Sequence, residues 1–84
     1  MQQKDIKLLF DAGNFRACII VSNDITGGYN ALFPKKGEIK PSVALETRPR
    51  KSGDTTEIRR FKTIDSACNF VKRNIGFKDF VVDL

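Results

Sequence analysis

The fold is organised around the stretch FRACIIV, residues 15–21. Its apolar part, Ala17-Cys18-Ile19-Ile20-Val21, ends in three β-branched residues, which favours a strand. Because both faces of this strand would be apolar, we expect it to lie in the centre of a sheet. It is the longest apolar run in the chain, and at five residues it is far shorter than the roughly 18 that a transmembrane helix needs. We therefore predict no contact with a membrane.

The segment before this strand fits two interpretations. Ile6, Leu9 and Phe10 have helical spacing, and Gly13 would end such a helix. Ile6, Leu8 and Phe10 also occupy every second position, as on one face of a strand. A hairpin turn could then lead into the central strand. A short N-terminal helix is the favoured interpretation, with a strand as the alternative.

After the central strand, turn-forming residues separate further segments with the alternating pattern of strands. These segments are residues 29–33, 43–47 and 56–61, and residues 80–84 at the end of the chain. Neighbouring strands joined by short turns pair antiparallel. The sequence therefore predicts an α+β fold with a single antiparallel sheet of about five strands.

The clearest helical pattern covers residues 64–75. It places one apolar stripe at the spacing of a helix, formed by Ile64, Ala67, Cys68, Val71 and Ile75. Thr63 or Asp65 would cap its start, and Gly76 would end it. We expect this main helix to pack on one face of the sheet. A helix of about 12 residues is only some 18 Å long, so an apolar face left uncovered would mark an interface with a partner or a second copy.

Length and composition restrict the class of protein. With 84 residues, of which 40% are hydrophobic and 30% charged, the chain is predicted to form a single domain, residues 1–84, with no deep enclosed active site. No apolar segment of signal-peptide length follows Met1. The two cysteines are interpreted as free, reduced thiols. We therefore expect a cytoplasmic protein.

The groups that most catalytic sites require are missing from the sequence. The chain has no histidine, the usual general base and the commonest metal ligand. The cysteines lie far apart at Cys18 and Cys68, and no glycine-rich phosphate-binding motif occurs. The sequence therefore predicts that the protein is not an enzyme and has no metal, cofactor or small-molecule substrate.

The net charge of +5 is concentrated in one region. Residues 34–62 hold nine basic and four acidic side chains, a difference of +5, and the rest of the chain holds six of each. Basic hairpins of this kind could contact the phosphates of duplex DNA. A solvated surface and a contact with an acidic protein are the alternatives. The candidate nucleic-acid contacts are Lys35, Lys36, Arg48, Arg50, Lys51, Arg59 and Arg60.

Residues 59–70, RRFKTIDSACNF, have the order strand, RFKT, helix. This order resembles the closing part of the sheet-plus-helix DNA-binding domains of the integrase arm-type and AP2 families. Those families contact DNA with the face of the sheet, so the resemblance implies contacts from outward side chains of the second to fourth predicted strands. The wider sequence resembles small accessory proteins of bacterial plasmids and integrative elements, which implies no particular activity.

The sequence thus predicts a non-enzymatic binding module of a mobile genetic element, with duplex DNA as its first candidate partner. The alternative is a protein-interaction module, such as an inhibitor, an antagonist or a homodimer. Such a module would use an exposed face of the sheet or an edge strand.

Overall fold

A computed structural model describes residues 1–25, 27–46 and 57–83. These residues form two helices and four strands. Three strands lie between the two helices in the chain, and the fourth follows the second helix. In chain order the elements are α1 (Gln3–Asp11), β1 (Cys18–Ser22), β2 (Tyr29–Phe33), β3 (Val43–Ala44), α2 (Ile64–Asn74) and β4 (Phe80–Asp83).

The four strands form one mixed sheet in the order β3-β2-β1-β4. β2 pairs antiparallel with β1 and with β3, whereas β4 pairs parallel with β1. The predicted α+β class and the central position of β1 are confirmed. The prediction of an entirely antiparallel sheet of about five strands is wrong, because α2 returns the chain to the end of the sheet where β1 begins. A strand that follows such a crossover runs parallel to the first.

The predicted strand at residues 56–61 is replaced, within its described part, by isolated bridges. Ile58 pairs with Glu46, and Phe61 pairs with Tyr29. The backbone of Phe61 exchanges two hydrogen bonds of 2.8 Å with that of Tyr29, while the N–H of Arg59 donates to the carbonyl oxygen of Leu45 at 2.8 Å. Because the segment changes partner between these residues, it forms no continuous ladder.

The predicted main helix is confirmed as α2, with Ile75 as its C-cap residue. The Thr63 side chain accepts a hydrogen bond of 3.0 Å from the N–H of Ser66, so Thr63 is the N-cap. Ala67 and Val71 are buried against β1 and β2. The apolar stripe read from the sequence is therefore the face that packs on the sheet.

The N-terminal segment is a helix, α1, and not the alternative strand. Ile6 is fully buried, and Leu9 and Phe10 pack against the same core. The helix ends where Gly13 adopts a φ of +77° and its N–H donates to the carbonyl oxygen of Phe10. Neither described helix is long and apolar enough to cross a bilayer.

Four phenylalanine rings join α1, the sheet and the segment after α2. The ring centroids of Phe10 and Phe77 are 4.4 Å apart, those of Phe33 and Phe77 are 5.5 Å apart, and those of Phe15 and Phe33 are 5.7 Å apart. These distances lie in the range in which tilted aromatic pairs attract. The cluster packs α1 and the segment after α2 against one face of the sheet.

Candidate functional site

The face of the sheet that points away from α2 carries a row of apolar side chains. Ile19 on β1 pairs with Leu32 on β2 and with Val81 on β4, and Leu32 pairs in turn with Ala44 on β3. Paired residues point to the same side of a sheet. At a strand spacing of about 4.8 Å, this row extends about 14 Å across all four strands. We call these four side chains and Val21, the next outward residue of β1, the open face.

The open face is separate from the hydrophobic core. Cys18 and Ile20, the neighbours of Ile19 along β1, are fully buried on the opposite side, beneath α2. None of the five open-face residues belongs to the core or packs against it. Val81 is 52% exposed, and the other four are half-buried. The side chains are thus partly shielded by one another and remain accessible from solvent.

Polar groups border the open face at the end where Val21 lies. Val21 pairs with Asn30 on one side and with Asp83 on the other. Asn30 is only 8% exposed, and its side chain donates to the carbonyl oxygen of Arg59 at 3.0 Å and accepts from Asn23 at 3.1 Å. These bonds tie the segment after residue 57 to β2 and satisfy a buried amide that would otherwise destabilise the sheet.

One pattern in the sequence relates to the open face. Apolar residues occupy consecutive positions in residues 19–21 and 80–82, so both strands carry apolar groups on both faces. For residues 15–21 this pattern predicts a central strand, and β1 is central. The described helices pack on one side of this sheet, and the second apolar side is the surface just described.

The four described nucleic-acid candidates lie at opposite ends of β2. Lys35 and Lys36 follow its last residue, where Lys35 bridges to Phe15. Arg59 and Arg60 lie beside its first residue, Tyr29. Six residues of extended chain separate the two pairs by about 20 Å. The structure therefore places the four described candidates in two separate pairs. The remaining candidates, Arg48, Arg50 and Lys51, lie outside the described residues.

Arg59 and Arg60 also differ from each other in their surroundings. The guanidinium carbon of Arg59 lies 4.2 Å from the ring centroid of Phe70 on α2 and 5.2 Å from that of Phe61. Cation–π contacts of this kind hold the half-buried guanidinium against the helix. Arg60 is exposed, and its aliphatic chain lies close to Gly28. Arg59 thus contributes to packing, whereas Arg60 reaches solvent on the other side of the segment.

Both cysteines are free thiols, as predicted. Cys18 is buried in the core, and burial, together with the nearby Cys68 thiol, raises the pKa of Cys18 to about 12. Burial and the charge of Asp65 also raise the pKa of the half-buried Cys68. A thiol must lose its proton to act as a nucleophile. The environment of both groups therefore lowers the fraction of thiolate near neutral pH.

We expect the two thiols to react with a disulfide reagent in two separate phases at pH 8. Cys68 is more accessible and should react first, and Cys18 should react at least tenfold more slowly, because both burial and its higher pKa reduce the thiolate population. Absorbance-monitored kinetics with Ellman's reagent will measure both phases. Replacement of Cys18 by alanine should remove the slow phase alone, and equal rates for the two thiols in the native protein would contradict the assignment.

A cleft of about 590 Å³ lies between the start of α1 and the end of β3. It is lined by both polar and apolar residues: Gln2, Gln3, Lys4, Leu45, Glu46, Arg59 and Phe70. The Glu46 carboxylate is paired with the N-terminal amine, and the Arg59 guanidinium lies on aromatic rings. In the described part of the chain, no three histidine, cysteine or acidic residues are grouped as metal ligands would be. These seven described residues include no paired nucleophile and base.

The open face is therefore the feature of the described residues that most resembles a binding surface. Its apolar row is continuous, accessible and bordered by polar groups, as in the centre and rim of an interface. Comparison with known proteins adds no relative from which a partner could be inferred: the chain matches no protein-family profile, no curated protein and no solved structure.

Proposed function

We propose that this protein is a non-enzymatic binding module that binds another protein through the open face. The observation that carries this proposal is the apolar row formed by Ala44, Leu32, Ile19 and Val81 across all four strands. Each of these side chains is only partly shielded by its neighbours. Burial of apolar surface contributes roughly 25 cal/mol per Å², so a partner that covers the row gains free energy from every strand.

The chemistry of the open face favours a protein over single-stranded nucleic acid as its partner. Binding of single strands depends on exposed aromatic rings on which bases stack. The five residues of the open face are all aliphatic. Branched aliphatic side chains instead match the apolar surface of a helix or a second sheet, as in the buried centre of protein interfaces.

Duplex DNA is the second candidate partner, and the observation in its favour is the charge distribution of the sequence. All of the excess charge of +5 belongs to residues 34–62. Lys36 and Arg60 are exposed at the two ends of β2, and Lys40 and Lys62 are exposed as well, so the described part of this region would offer phosphate contacts at separate points. Binding of this kind depends on phosphate neutralisation and therefore weakens steeply as salt is raised.

The test compares two lysine variants of the tagged protein in capture experiments with and without nuclease. Leu32→Lys places a charge in the middle of the open face, and Ile39→Lys places the same charge on a side chain that is already 95% exposed in a loop. We expect Leu32→Lys to lose at least tenfold in affinity for the captured protein, because the charge would be desolvated in the complex. The Ile39→Lys control should bind as the wild type does.

The two candidate functions give opposite results in this comparison. Protein capture that survives nuclease and is lost only in Leu32→Lys supports the open face. Retention that disappears with nuclease and weakens with salt, with both variants behaving alike, supports DNA and would overturn the protein proposal. Sedimentation equilibrium of the purified wild type identifies the case in which the captured protein is a second copy of the chain.

A further inference from the structure

The two edges of the sheet are not equally protected. Beyond β3, the backbone N–H of Glu46 donates to the carbonyl oxygen of Met1 at 2.8 Å, so the N-terminal residues cover that edge. β4 forms the other edge, and in the described residues its pairing is with β1 alone. An uncovered edge strand presents N–H and C=O groups that can pair with another chain.

β4 lacks two of the features that usually keep edge strands from pairing. Its four residues, Phe80–Asp83, include no lysine and no proline. Val81 is 52% exposed on the open face, and Val82 is 45% exposed on the opposite face. A strand added beside β4 would therefore cover apolar surface on both faces of the sheet as well as complete the backbone hydrogen bonds.

Charge selects the kind of strand that fits. Val81 and Asp83 share one side of β4, and Asp79 immediately precedes the strand at the next position of the same alternation. Both aspartates are exposed. They are about 13 Å apart and frame the apolar centre of β4. Opposite charges directly across a sheet attract, and like charges repel. A partner strand should therefore carry a basic residue opposite each aspartate and apolar residues between them.

In the symmetric register centred on Val81, the same charges disfavour a second copy of the chain at this edge. In an antiparallel pair with twofold symmetry, residues of the same face lie opposite each other. Pairing centred on Val81 would set Asp79 of each copy against Asp83 of the other, which places like charges directly opposite twice. At physiological salt, charges more than about 8 Å away are screened. For pairing in this register, the local repulsion between these aspartates therefore matters more than the net charge of the whole chain.

We propose that β4 is a docking edge for an extended peptide strand that has an apolar centre and a lysine or arginine at each end. The peptide adds antiparallel to β4 as a further strand of the sheet, because antiparallel pairing is slightly more stable per residue than parallel pairing. This site is the backbone edge of β4, so the inference goes beyond the proposed use of the open face and does not depend on it.

The experiment titrates the full chain with two peptides at up to millimolar concentration and follows amide chemical shifts by NMR. The probes are acetyl-Lys-Val-Ile-Val-Lys-amide and the same peptide with glutamate in place of lysine. We expect the lysine peptide to bind about tenfold more tightly, since it forms two cross-strand ion pairs. The largest shifts should map to residues 80–83, and their exchange with solvent should slow.

A charge-reversal variant provides the decisive comparison. Asp79→Lys with Asp83→Lys should reverse the preference, so that the glutamate peptide binds more tightly. The matched control, Glu57→Lys with Asp65→Lys, makes the same change in net charge at two exposed positions on segments that do not pair with β4 and should keep the preference for lysine.

Four results would overturn the docking edge: no binding, equal binding of the two peptides, shifts centred elsewhere, or the same preference in the reversed variant. Self-association of the wild type through residues 80–83 would also overturn it, by making a second copy the occupant. Ile39→Lys, a change in a side chain that is 95% exposed in a loop, should leave peptide binding unchanged. The peptide experiment depends on residues 79–83 and the capture experiment on Leu32, so failure of one is distinguishable from failure of the other.

Discussion

Replacement of Phe33 by alanine is expected to destabilise the protein by about 3–5 kcal/mol, the usual cost of removing a buried aromatic ring. Phe33 is fully buried, and its ring contacts those of Phe15 and Phe77. Its loss would leave a cavity where the sheet meets the segment after α2. A chain of 84 residues has a total stability of about 4–13 kcal/mol by the usual scaling, so this change removes a large part of it.

Chemical denaturation of both proteins, followed by circular dichroism, will measure this effect. The matched control is Phe80→Ala, since Phe80 is only partly buried in the edge strand β4. We expect the control to lose less than half as much free energy of unfolding, because less apolar area returns to water. Equal losses for the two variants would show that the aromatic cluster is not the centre of the core.

Replacement of Gly28 by alanine is expected to destabilise the protein by about 2–4 kcal/mol, a cost with two sources. Gly28 has a φ of +77°, which side chains rarely tolerate. An added Cβ would also lie 2.6 Å from the backbone oxygen of Phe61 and 2.8 Å from Cγ of Arg60. The backbone of Phe61 is hydrogen-bonded to that of Tyr29, so Phe61 cannot move away without loss of these hydrogen bonds.

Gly13→Ala separates these two sources. Gly13 has the same φ of +77°, but an added Cβ there would meet no atom within 4 Å. We expect this control to cost about 1–2 kcal/mol, the contribution of the left-handed backbone alone. Urea denaturation will give both values. If the two variants lose the same stability, the close approach of the 59–61 segment to Gly28 is not needed for the fold.

The local elements of this protein follow directly from the sequence. The stripe that begins at Ile64 and the capping hydroxyl of Thr63 identify α2 almost to the residue, because helix spacing and capping are local properties. Residues 29–33 were predicted as a strand and form β2. The helical spacing of Ile6, Leu9 and Phe10 also identified α1, although an alternating pattern in the same segment competed with it.

The pairing of the strands depends on contacts that sequence spacing does not contain. Residues 80–82 have a strand pattern, but nothing local states whether this strand runs parallel or antiparallel to its neighbour. The direction follows from α2, which returns the chain across the sheet before β4, so that β4 runs parallel to β1. The segment near Phe61 also has a strand pattern, yet it divides its hydrogen bonds between β2 and Leu45.

The sequence shows the apolar residues of the candidate site but not their exposure. Alternation showed that Ile19 and Ile20 point to opposite faces, but an apolar face that is buried and one that awaits a partner look the same in a sequence. The role of Arg59 was hidden for a similar reason. Its contact with Phe70 joins residues from two elements, and only the packing of α2 shows that this guanidinium lies on aromatic rings.

The parallel pairing of β1 with β4 has a consequence for how the chain folds. Cys18 pairs with Phe80, a residue 62 positions later. β1 can therefore pair with its second neighbour, β4, only after residues 80–83 have been synthesised. Closing so large a loop is entropically unfavourable, and contacts this distant slow the search for the native state. On the ribosome, β1 therefore lacks one of its two neighbouring strands until residues 80–83 have emerged.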